Sequence, residues 1–158
     1  MDGLQPPFSE ALCAQGVEMG FLNRFFKKGE DPEGKYVDPL LGTLLWDEDD
    51  ESWIGENKNF KFLISYEGKS KPSQEILTYA QSTLLNNDWL EGMLTTCKDS
   101  AIETYPVKMH EEIKNLKYER ICYQGNNMIL IQFFENDDQP FWSADIVGKK
   151  FRAIGRDT

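Results

Sequence analysis

The chain has 158 residues, 40% hydrophobic and 13% aromatic, which suits one domain with an ordinary core and excludes a collagen-like or wholly disordered polypeptide. Seventeen Lys and Arg against 27 Asp and Glu leave a net charge of −10. That field repels phosphate backbones and anionic lipid, so non-specific nucleic-acid binding is not expected and basic partners are favoured.

No apolar run reaches the length of a membrane span, and the N-terminus shows no basic region followed by an apolar one, so neither a span nor a secretory signal is expected. Residues 1–18 carry two prolines and little helical pattern. Met19 then opens a short apolar helix with Phe21, Leu22, Phe25 and Phe26, closed by Lys27, Lys28 and Gly29. Cations suit a helix C-terminus and glycine a left-handed cap. Met19 is therefore a candidate native start, and its helix is expected to pack on the domain edge rather than to touch a membrane or a partner. Residues 1–35 read as an N-terminal extension ending in a polar Gly/Pro linker, and 36–158 as a single α+β domain.

Asp38-Pro39 is a turn-type start for an apolar strand from Leu40 to Trp46. Five consecutive acids follow, Asp47, Glu48, Asp49, Asp50 and Glu51, before strands through Trp53-Ile54-Gly55 and from Asn59 to Tyr66. The spacing predicts a three-stranded antiparallel meander with the acidic run as its first hairpin loop. From Ser73, a possible N-cap, Ile76, Leu77, Ala80, Thr83 and Leu84 form a helical stripe. Asp88 is expected to cap a second helix carrying Leu90, Met93, Leu94, Cys97 and Ala101, which ends at Tyr105-Pro106. A weaker third helix covers Met109 to Leu116.

The last third returns to strands at 118–123, 128–134, 141–147 and 149–154, with turns at Gly125-Asn126-Asn127, at 136–140 and at Gly148. The run from Met128 to Phe134 is apolar on both faces, as an interior strand would be. Strands, helices, then strands predict an α+β domain: a mostly antiparallel sheet with helices packed on one face.

Chemistry-bearing residues are sparse. Cys13, Cys97 and Cys122 form no short pair, and an odd count argues against a disulfide framework, so buried inert thiols in a reducing cytoplasm are expected. The lone histidine, His110, has no nucleophile motif near it and reads as a solvated side chain. One His and three scattered Cys are a thin supply for zinc, and no Gly-rich loop is built for phosphate. No catalytic residue, cofactor or metal is expected, and an enzyme using His110 or Cys122 is the remotest reading.

The acidic run is the sharpest feature. It lacks the alternating ligands, central glycine and terminal Glu of a calcium loop, so it is either a plain solvated loop or a docking surface for a cationic protein. Glu135, Asp137 and Asp138 form a second acidic tip that would extend the surface. Trp46, beside the run, is a candidate interface anchor because Trp is frequent among binding hot spots, although its size also suits a core.

Short motifs run through the chain in order: Met19 to Lys28, Asp38-Pro39-Leu40-Leu41-Gly42-Thr43-Leu44, Trp53-Ile54-Gly55, Trp142-Ser143-Ala144-Asp145 and Gly155-Arg156-Asp157-Thr158. This order resembles a group of small uncharacterised bacterial proteins. Members of such groups often stand beside polymorphic or contact-dependent toxins as cognate immunity proteins. The resemblance therefore implies a cytoplasmic protein that binds and neutralises a toxin domain, commonly a basic nuclease. The shared residues are structural in kind, so the resemblance transfers no binding residue. The alternative is a non-catalytic scaffold or regulatory module with another partner.

Overall fold

The computed structural model of the protein describes residues 34–65, 71–134 and 142–157, and among them two runs of strands flank a helical middle. The first run is Lys35–Asp38 (β1), Gly42–Asp47 (β2), Ser52–Glu56 (β3) and Lys61–Ser65 (β4). Three helices follow, Gln74–Leu84 (α1), Asn87–Thr104 (α2) and His110–Lys114 (α3), the last preceded by a 3-10 turn, Val107–Met109. The second run is Lys117–Gln124 (β5), Met128–Phe134 (β6), Trp142–Val147 (β7) and Lys150–Arg156 (β8).

These eight strands form one sheet in chain order, β1 to β8, and every neighbouring pair is antiparallel except β4–β5. Antiparallel neighbours need only a tight turn, whereas a parallel pair needs a long crossover. The helices occupy that one crossover. The architecture is therefore α+β with a mostly antiparallel sheet.

Period-2 alternation builds the core. Ile121, Tyr123, Ile129, Ile131, Phe133, Trp142, Ala144 and Ile146 are buried, and the register stacks Tyr123 on Ile129 on Ile146 and Ile121 on Ile131 on Ala144. In β6 the intervening Leu130, Gln132 and Phe134 are only half-buried. That strand is interior, paired on both edges, as its apolar run predicts, and its two faces differ in burial. From the helices, Leu77, Ala80, Thr83 and Leu84 of α1 and Leu90, Met93, Cys97 and Ala101 of α2 join the core. Polar groups at the helix–sheet contact are paired: the Thr83 and Tyr123 hydroxyls lie 2.6 Å apart, and the Tyr118 hydroxyl donates to the Leu90 carbonyl.

The structure departs from the sequence reading in several places, among them the second strand, which begins at Gly42 rather than Leu40. Lys35 belongs to a strand, not a linker, because Lys35 to Asp38 pairs with β2 across a tight turn. Buried Asp38 holds that turn, accepting from the Leu40 and Leu41 amides at 2.9 and 2.8 Å and from Gln81 Nε2 on both oxygens. The acidic loop is thus the second hairpin of a four-stranded meander, not the first of three. Asn86, not Asp88, caps α2, its side-chain oxygen accepting from the Trp89 amide at 3.0 Å. The third helix is shorter than expected, and β8 extends to Arg156. The Met19 helix, Cys13 and the turn at 136–140 lie outside the described residues.

Candidate protein-docking site at the acidic hairpin

The acidic run joins β2 to β3. Trp46 pairs with Trp53 and Asp47 with Ser52, so the hairpin stem is closed directly below the loop. Asp47 shapes the loop from inside: its Oδ1 accepts from the Asp49 and Asp50 amides, both at 2.9 Å. On the far side, the hydroxyl of buried Ser52 donates to the Asp50 carbonyl at 2.9 Å and lies 3.3 Å from the Ser65 hydroxyl of β4. Glu51 adopts the left-handed region, at φ 46°, to complete the turn. The loop is thereby pinned at both ends, while Glu48, Asp49, Asp50 and Glu51 remain exposed.

One of these carboxylates has a resident cation. Arg120 of β5 reaches Asp50 at 3.8 Å, with both side chains more than a third exposed, so the pair contributes at most about 1 kcal/mol. It does, however, withdraw part of the loop's charge from any incoming partner.

Trp46 is half-buried and packs edge-on against Trp53, ring centroids 5.6 Å apart at 66°. The Nε1 atoms of both indoles are buried with no hydrogen-bond partner among the described residues, at a cost of roughly 1–3 kcal/mol each. Trp46 therefore supports the stem from the side. Glu135, Asp137 and Asp138 lie outside the described residues. Their flanking residues, Phe134 and Trp142, sit at the opposite end of the strands from Asp47 and Ser52, as the register across β3 to β7 requires.

The residues considered for chemistry are scattered. His110 is half-buried, and its Nε2–H donates to the Tyr105 carbonyl at 2.9 Å, so it is tied to the chain turn rather than free in solvent. Burial pushes the Cys97 thiol up to about 12 and the half-buried Cys122 thiol up to about 11, which leaves both protonated near neutral pH. Among the described residues no group of three or more His, Cys, Asp or Glu is placed to hold a metal ion. A 220 Å³ recess between the start of α1 and the β5–β6 turn, lined by Glu75, Tyr79, Gln124 and Asn127 among others, is smaller than the usual range for ligand pockets.

Sequence reasoning missed a cluster at the far end of the helices. Glu112 of α3 accepts from Trp142 Nε1 at 2.7 Å and from Arg156 Nε at 3.0 Å on one oxygen, and from Arg156 Nη2 on the other. The Tyr105 ring packs edge-on against Trp142, centroids 4.8 Å apart, and its hydroxyl accepts from the Arg156 amide. The cluster is a clamp between the crossover and β7–β8, with both Glu112 oxygens bonded to other members. No short sequence spacing signals it, because its members are brought together only by the sheet.

Compared with protein-family models, with characterised proteins and with solved structures, the chain matches none of them.

Proposed function

We propose that the protein is a cytoplasmic immunity protein that binds and neutralises a cognate bacterial toxin domain, presenting the acidic β2–β3 hairpin to a cationic surface of that domain. The observation that carries this reading is the hairpin itself: exposed carboxylates on a loop held by Asp47, Ser52 and the strand pairing. A preorganised loop loses little freedom on docking, and an acidic surface offered to a basic nuclease competes for the groove that would hold phosphates. Such inhibition asks for no catalytic group in this chain. The motif order running from Met19 to Thr158 supports the same reading. No helix among the described residues is long and apolar enough to cross a membrane.

In this reading the helices pack on one face of the sheet, through Thr83 on Tyr123 of β5 and Glu112 on Trp142 of β7. Co-expression with the C-terminal domain of a toxin gene adjoining this one tests the proposal. A stable complex that suppresses the toxin's activity is expected. A chain that neither co-purifies with that domain nor protects cells from it would leave the alternative, a scaffold or regulatory module with another protein partner.

A further inference from the structure

We draw no further inference here: the strongest candidate, the sheet face on which Leu45, Ile54, Leu63, Cys122 and Leu130 form one apolar cross-strand row, carries no proposal because nothing in the structure shows what covers it.

Discussion

Gly55 sits where β3 crosses the core, and a Cβ there would fall 2.2 Å from Phe62 Cζ and 2.7 Å from Leu44 Cδ2. Both neighbours are almost fully buried, so neither ring nor methyl has room to retreat. Gly55→Ala should therefore cost about 1–3 kcal/mol, as overpacking does, measured by urea denaturation. A change within 0.5 kcal/mol, on the order of an ordinary surface substitution, would show that the packing yields. Glu112 is the second sensitive residue. Glu112→Ala strands the Trp142 N–H and the Arg156 guanidinium together, an expected loss of about 2–3 kcal/mol, while Glu112→Gln keeps one acceptor and should lose less. Equal losses in the two variants would count against the clamp. Titration adds a third expectation. The folded-state pKa of Cys97 is raised from 9.0 to about 12 by desolvation, so the native chain holds this proton more tightly than the unfolded chain. That contribution is fully present below pH 9.0 and is lost as pH climbs toward about 12. Burial also raises Tyr118 and Tyr123, in the same direction. Melting temperature should fall between pH 9 and pH 11, and a Cys97→Ala chain should lose less over that window; parallel curves would remove Cys97 as a cause.

At the scale of elements, the hairpin separates two functions of one carboxylate. Asp47 Oδ1 accepts two amides, a task that an amide oxygen also performs, whereas alanine cannot. Asp47→Asn should leave stability nearly unchanged and Asp47→Ala should lower it by about 1 kcal/mol, read from paired melting curves. Identical melting of the two would mean that the turn holds without this side chain. The two helical stripes were legible in the residues because each is local: Leu77, Ala80 and Leu84, or Leu90, Met93 and Cys97, announce their shared face by spacing alone, whereas the apolar side chains on both sides of Met128 to Phe134 hide which face is buried. The four residues of β1 were not, since their pairing comes from β2 and from a turn held by Asp38 and distant Gln81. Nor was the cap of α2, because Asn86-Asn87-Asp88 offers three competent side chains in a row and only backbone geometry selects the first. The acidic run was legible as a run. Its internal bonding was not, and the ion pair with Arg120 was hidden because it depends on β5 lying beside β4 in parallel.

Across the whole molecule, local antiparallel hairpins build each half of the sheet, and the helical crossover makes the one long-range joint between β4 and β5. The β7–β8 hairpin is tied into this frame at both ends. At its tip Gly148 and Lys149 both take positive φ, and the Lys149 amide and carbonyl bond to the Tyr79 hydroxyl and Trp89 Nε1; at its foot Arg156 reaches Glu112. A register shift after Asp145, together with exposed Lys150 and Arg152, discourages a further strand from adding along β8. The sheet is a firm platform for a charged loop, and the function proposed for that loop is steering and docking. The most direct test is the association rate with the toxin domain proposed as its partner, measured at low and at moderate salt. The comparison is between the parent chain and a variant with Asp47, Glu48, Asp49, Asp50 and Glu51 replaced by Asn or Gln. The variant should melt like the parent, bind at least about tenfold more slowly at low salt, and show a flattened dependence on salt, because exposed charges act chiefly through steering. Equal association rates and affinities for the two folded chains at both salt concentrations would contradict the assignment of this hairpin to the interface.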